Sequence, residues 1–204
     1  VQVIEKGQRS RRGWIGCEIG KNIQFNTDLL EAYCFAEKSP IVYDALVLVA
    51  AVHFCDHTKS RKAAVWRRHF YLSIPVHSSQ HWRKLSPRLQ DLLSFLTGDQ
   101  WDISFTDREN RVPFRQQSRL SLPSCCQAVM PYSDGMDSRA TAGLMKKEYG
   151  HSLVLVRLGQ KAPIHRRKKT LFAAVPYRVR FGRSVESSSR SRGFQFALLS
   201  GISA

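Results

Sequence analysis

Apolar positions fall into short alternating runs and longer helical runs along the first half of the chain. Val1–Ile4 is apolar and strand-like, and residues 14–25 alternate through Trp14, Gly16, Ile19, Ile23 and Phe25, predicting a strand or hairpin. Asn26 or Thr27 can cap a helix beginning at Asp28, running from Leu29 to about Glu37 and ending near Pro40. Ile41 to Cys55 is the longest apolar run. It contains Asp44 and His53 and is shorter than the ~20 residues of a membrane span, so it predicts a buried helix over Val42 to about His57. The stretch His69–Val76 alternates as a strand. Ser86-Pro87 places a cap residue and a first-turn proline before Leu89, Leu92, Leu93 and Leu96 at helical spacing, and Gly98 closes that helix. Trp101–Thr106 reads as another strand. Residues 1–106 thus predict an α+β module, with helices packed on a small sheet.

The pattern then changes. Residues 107–124 are polar, basic and broken by Pro113 and Pro123, as a linker is. Beyond them come a strand at Ala128–Tyr132, a helix at Ser138–Tyr149 and a strand at Ser152–Leu158, an alternation that predicts a parallel sheet. Leu171–Phe181 reads as a strand with Arg178 and Arg180 on one face, and Phe194–Ala204 begins a small-residue helix. The expected division is an N-terminal module with its linker over 1–120 and an α/β domain over 121–204.

Composition adds limits. The chain has 204 residues, 43% of them hydrophobic, which suffices for one large or two small globular domains. It opens on Val1, so a segment of a longer protein is expected. Net charge is +16, divided as +6 over residues 1–120 and +10 over 121–204. Such a balance calls for an anionic partner: nucleotide phosphate, nucleic acid or an acidic protein. The five cysteines, Cys17, Cys34, Cys55, Cys125 and Cys126, are irregularly spaced without a CxxC. They predict idle thiols in a reducing cytosol, not a disulfide framework or a zinc site within this stretch. The N-terminus lacks the apolar core of a signal peptide. A cytoplasmic protein without a membrane span is expected.

The candidate chemistry lies at Ser133-Asp134-Gly135-Met136-Asp137-Ser138, between an apolar strand and a helix. A strand entering a tight turn leaves backbone N–H groups at the following helix N-terminus, and these, with the helix dipole, attract phosphate. Gly135 can adopt a positive φ and admit an anion closely. Ser133 and Ser138 supply hydroxyl donors. Asp137 either accepts backbone N–H bonds within the loop or helps bind Mg²⁺.

This string resembles the SGGxDS signature of the PP-loop ATP pyrophosphatases, with Asp134 at the first glycine. The resemblance implies a Rossmann-like adenine-nucleotide α-hydrolase fold, of which 121–204 is the first half, with ATP and Mg²⁺ as ligands. The stretch from Glu186 to Ser200 resembles the Arg-rich entry to a helix in 7-cyano-7-deazaguanine synthases: Arg192 and Phe196 fit, while Gly193 stands where those enzymes usually carry Asn. In the first half, Trp66–Val76, Trp82 and Leu92–Phe105 resemble the synthase-like component of bacterial Qat anti-phage systems. The resemblance implies an ATP-dependent C–N bond-forming ligase. It would activate the carboxylate of a deazapurine-like substrate for a nitrogen nucleophile, among protein partners of a defence complex. Asp137, Ser138 and Arg192 would take part in catalysis, and Ser133 to Ser138 would hold the nucleotide. Synthases of this group bind zinc near their C-terminus, outside this stretch. The alternatives are a catalytically inactive basic nucleic-acid-binding protein and a nucleotide-gated scaffold subunit.

Other polar residues read as structural. His53 and His57 share a helix face without an acidic helper, so core or surface histidines are expected. The run His165 to Lys169 and the pair Arg190 and Arg192 read as solvated basic loops or phosphate contacts. Trp14, Trp66, Trp82 and Trp101 are expected in the core.

Overall fold

The computed structural model describes residues 1–25, 40–61, 66–109, 127–133, 135–158, 171–175, 177–180 and 185–203. The expected helix over 28–37, most of the linker, the Cys125-Cys126 pair and the basic run 165–169 lie outside them. The chain divides into two compact units, Val1–Gln24 with Tyr43–Pro113 and Arg178–Gln195, and Phe25–Val42 with Phe114–Tyr177 and Phe196–Ala204. The change of unit at Pro113 falls within the expected linker. The segment Arg178–Gln195, however, belongs to the first unit, where a single boundary at residue 120 would have put it in the second.

The first unit is built on β1 (Gln2–Ile4), β2 (Gly16–Glu18), β4 (His69–Val76) and β5 (Gln100–Asp107), in the order β2-β1-β4-β5. All three pairings are parallel. This corrects the α+β expectation and the hairpin reading of residues 14–25, because alternation reports which face is buried and carries no information on strand direction. A short β3 (Ile23–Phe25) pairs instead with β9 (Tyr177–Val179). Within the parallel sheet, β4 is buried from Leu72 to Val76 on both faces, as an inner strand is, while β5 alternates as an edge strand does.

Helix α1 (Pro40–Thr58) begins on a proline, whose fixed φ suits a first turn. Its residues from Asp44 to Val52 are buried without a polar face, so it is a core helix. It is long and apolar enough to cross a membrane, yet 67% of that apolar window is buried inside the protein. Cys55 in α1 and Cys17 in β2 are buried free thiols, and burial pushes the Cys55 thiol up to about 12.

Helix α2 (Ser79–Thr97) starts well before Ser86-Pro87, which lie inside it. The carboxylate of Asp107, at the end of β5, accepts the Ser79 N–H at 3.0 Å and caps the helix from elsewhere in the chain. Ser86 donates to the Ile103 carbonyl at 2.8 Å in place of capping. Gly98 ends the helix as predicted, with φ of +70° and its N–H on the Ser94 carbonyl. Trp82 stacks on Phe105 and Trp101 on Phe70, both pairs in the core. Trp66 departs from expectation: it is 65% exposed, with the Arg190 guanidinium 4.3 Å from its ring centre.

His53 lies edge-on to His57, with ring centres 5.0 Å apart. Burial first, and then the neighbouring His57, pulls the His53 pKa down to about 4. The folded protein therefore resists a proton that the unfolded chain accepts at its ordinary value of about 6.5. Stability is full above that value and is expected to fall by about 1–3 kcal/mol as pH drops through the window to about 4. Urea unfolding across this range should show the slope in the natural protein and lose it in His53→Gln.

The second unit contains a three-stranded parallel sheet of β6 (Ala128–Pro131), β7 (Leu153–Leu158) and β8 (Leu171–Val175), in the order β6-β7-β8. Helix α3 (Met136–Tyr149) connects β6 to β7. Ala142 of α3 packs with Met130, Leu153 and Leu155, flanked by Tyr132, Met145 and Tyr149. The α/β class with parallel strands, expected for the second half, thus holds in both units. The sequence ends in α4 (Arg192–Ser203), close to its expected bounds.

Candidate functional site

The turn from β6 into α3 is positioned by the sheet. Beyond the last β6 pairing, Pro131 with Val156, the Tyr132 N–H still bonds the Val156 carbonyl at 2.8 Å. The chain is thereby held until one residue before Ser133. Ser133 Oγ lies 2.8 Å from Ser138 Oγ, and the Gly135 N–H points at Ser133 Oγ at 3.4 Å. The Arg139 N–H takes the Gly135 carbonyl at 3.1 Å, which opens the helical ladder. Among the described residues no side chain caps α3. Its first-turn N–H groups, which have no intrahelical acceptor by construction, therefore face the same turn as the two hydroxyls.

Both serines are half-buried, whereas Gly135, Met136 and Asp137 are exposed, Met136 at 83%. Among the described residues the Asp137 carboxylate accepts no hydrogen bond. It stands in the first turn, where a negative charge suits the helix dipole and a cation can be met. Asp134 lies outside the described residues.

Gly135 corrects one expectation. Its φ is −67° and ψ 158°, an extended conformation open to any residue, so glycine is not needed here for a left-handed turn. Among the described residues a Cβ at this position would meet Ser133 Oγ, at 3.3 Å. Gly135→Ala is expected to cost at most about 1 kcal/mol, the difference between glycine and alanine as a helix cap. A larger loss in thermal unfolding would contradict the observed backbone.

Arg192 is exposed at the start of α4, in a segment belonging to the first unit, while Ser133 to Ser138 belong to the second. Arg190 is not a solvated loop residue: it covers Trp66 and reaches the Thr97 carbonyl at 3.4 Å. His57 Nδ1 lies 2.9 Å from the Glu186 carbonyl, and no group of three metal-ligating side chains occurs among the described residues.

No protein-family model, curated protein or solved structure matches this chain.

A buried ionic cluster in the first unit leaves little trace in the sequence. Arg68 Nη2 contacts Asp56 at 2.5 Å and Asp99 at 2.6 Å, and Arg61 Nη2 contacts Asp99 at 2.6 Å. Burial opposes ionisation of Asp56, but hydrogen bonds from Arg68 and Ser191 outweigh it and hold the carboxyl below its usual range. The Arg61 N–H and the contacts of Ser188 hold Glu186 down to about 2. Its only sequence signal was an acid, Asp56, at the end of an apolar helix and an arginine, Arg68, just before an apolar strand.

Proposed function

We propose that the turn at Ser133 to Ser138 binds the pyrophosphate part of ATP, and that the protein is an ATP-dependent adenylating enzyme of the PP-loop kind. The observation that carries this reading is the 2.8 Å pairing of Ser133 and Ser138 hydroxyls at the start of α3, between parallel strands β6 and β7. A pair of hydroxyls that bond each other can each turn to a phosphate oxygen when one arrives, while first-turn N–H groups supply further donors.

In the proposed reaction a carboxylate oxygen of the substrate attacks the α-phosphorus of ATP. The bond from that phosphorus to the bridging oxygen breaks, and its electron pair leaves with pyrophosphate. The donors of the turn take up the charge that develops on the leaving group, and this positioning and stabilisation is the protein's share of the work. A nitrogen nucleophile then attacks the acyl carbon and releases AMP. Mg²⁺ commonly binds through one or two carboxylates plus substrate phosphates, and the exposed Asp137 fits that use. Such an ion would supply charge neutralisation at the phosphates. The carboxylate substrate is read as a 7-deazaguanine derivative, the setting as a bacterial anti-phage complex in the cytoplasm, and Arg192 as an assisting residue; these parts rest on the sequence resemblance.

The test is pyrophosphate release from ATP by the full-length protein, with and without a 7-carboxy-7-deazaguanine-type substrate. Substrate-dependent release supports the reading. ATP bound without release would favour a nucleotide-gated scaffold, and absence of ATP binding would return the basic charge to a nucleic-acid or protein partner.

A further inference from the structure

The carboxyl edge of the first unit's sheet carries a second group of ionisable side chains. Glu5 follows β1, His77 follows β4 and Arg108 follows β5, so three adjacent strands each deliver one charged or titratable residue to the same edge. In the order β2-β1-β4-β5 the chain leaves β1 to one side and returns on the other. At such a reversal, outside the carboxyl ends of the strands, is where open α/β sheets hold ligands. Glu5 and His77 follow the two strands on either side of the reversal.

Arg108 is committed on one side only. Its Nε and Nη2 hold Glu5 Oε1 at 2.9 and 2.8 Å, and its guanidinium lies over the Tyr43 ring at 4.8 Å. The side chain is 5% exposed, yet among the described residues Nη1 has no hydrogen-bond partner. Leaving a buried donor unsatisfied is costly, and native structures seldom do so without a reason. Tyr43 also meets the His77 ring edge-on, with centres 5.7 Å apart, so Arg108 and His77 flank one aromatic ring. His77 is oriented by Asp44, which lies 2.7 Å from its Nδ1 and accepts its backbone N–H at 3.0 Å. The Trp82 indole N–H holds the same carboxylate at 3.1 Å. An acceptor fixed on Nδ1 sets the tautomer and aim of the ring.

We propose that this edge is a second ligand site, distinct from the Ser133 to Ser138 turn, which takes a small molecule bearing a carboxylate or phosphate group. Arg108 Nη1 is its principal donor and His77, set by Asp44, stands beside it. Glu5 and Asp44 already balance much of the positive charge. The site therefore favours a singly charged oxyanion over a polyphosphate.

The experiment is a residue-resolved NMR titration of the full chain with sodium acetate and, separately, inorganic phosphate, at constant ionic strength. The Arg108 side-chain and His77 ring signals are expected to shift saturably with at least one salt. Acetate as the tighter salt would assign a carboxylate-bearing ligand, and phosphate a phosphate ester. Arg108→Lys keeps a cation for Glu5 but loses the planar fork, and is expected to weaken binding by about tenfold or more. His77→Gln serves as a second variant should the lysine protein fold poorly. Absence of a saturable shift at Arg108 and His77 with either salt would overturn the proposal, as would unchanged affinity in the folded variants. Shifts confined to Ser133 to Ser138 would overturn it too while leaving the ATP reading intact.

Discussion

Asp99→Ala is expected to lower the unfolding free energy by about 3–5 kcal/mol, the usual loss when one partner of a buried ion pair is removed. Asp99 is fully buried and serves two arginines. It receives the Arg68 backbone N–H at 3.0 Å, the Arg68 Nε and Nη2, and the Arg61 Nη2. Burial alone would pull the Arg68 pKa down, but Asp99 and then Asp56 raise it above its ordinary value. Removing Asp99 leaves Arg68 with Asp56 as its carboxylate partner and Arg61 with longer contacts to Asp56 and Glu186, at 3.6 and 3.9 Å. The damage should also spread along the chain, because the same cluster anchors a distant segment: Glu186 Oε2 takes the Arg61 N–H at 2.8 Å and Asp56 Oδ2 takes the Ser191 N–H at 2.9 Å. Hydrogen exchange at 185–191 should therefore accelerate along with the loss in urea unfolding. A loss below about 1 kcal/mol would mean that the cluster behaves like an exposed ion pair.

Acid should undo the same cluster by a separate route. Asp56 and Glu186 have folded pKa values below their unfolded ones. Their contribution is present above the ordinary carboxylate range and is lost as pH falls through the folded values, near 2 for Glu186. That window lies below the one assigned to His53, so the two can be told apart in one pH series.

Ser138→Ala is expected to reduce pyrophosphate release by about 10²–10³-fold, the effect of deleting one preorganised donor to developing charge. The fold should survive it. Ser138 is half-buried, and the hydrogen bond that fixes its hydroxyl is the one to Ser133. Ser133→Ala should act in the same direction, and the double variant should fall short of the summed effects, since the two hydroxyls form one bonded unit. Asp137→Ala should depress release with a raised Mg²⁺ requirement, because the exposed carboxylate is the group proposed to meet the ion. Release at the natural rate in Ser138→Ala, with thermal stability unchanged, would remove the turn from the chemistry.

Much of this protein was legible from local pattern. The strand at His69–Val76, the apolar helix around Ile41 to Cys55, the stop at Gly98 and the strand–turn–helix–strand over 128–158 all follow from periodicity and turn chemistry, which depend on neighbours within a few residues. Pattern failed wherever the deciding partner was far away in sequence. The start of α2 was misplaced because its cap is Asp107, a residue that joins Ser79 only through the sheet. The alternating neighbours of Trp66 point to the core, whereas it is exposed and covered by Arg190.

The sequence by itself determined where most of the described helices and strands lie, that a turn carrying Ser133 and Ser138 sits before α3, and that both halves bury apolar cores. Only the tertiary structure decided that β1, β2, β4 and β5 run parallel, that Gly135 keeps an ordinary backbone, and that Asp56, Arg61, Arg68, Asp99 and Glu186 meet in one buried cluster. The physical reason is the range of the interactions. Helical and strand periods are set by backbone geometry over a few residues. Strand direction, by contrast, is set by where the connecting chain returns, and the pairing of buried charges by which distant side chains share the same low-dielectric space.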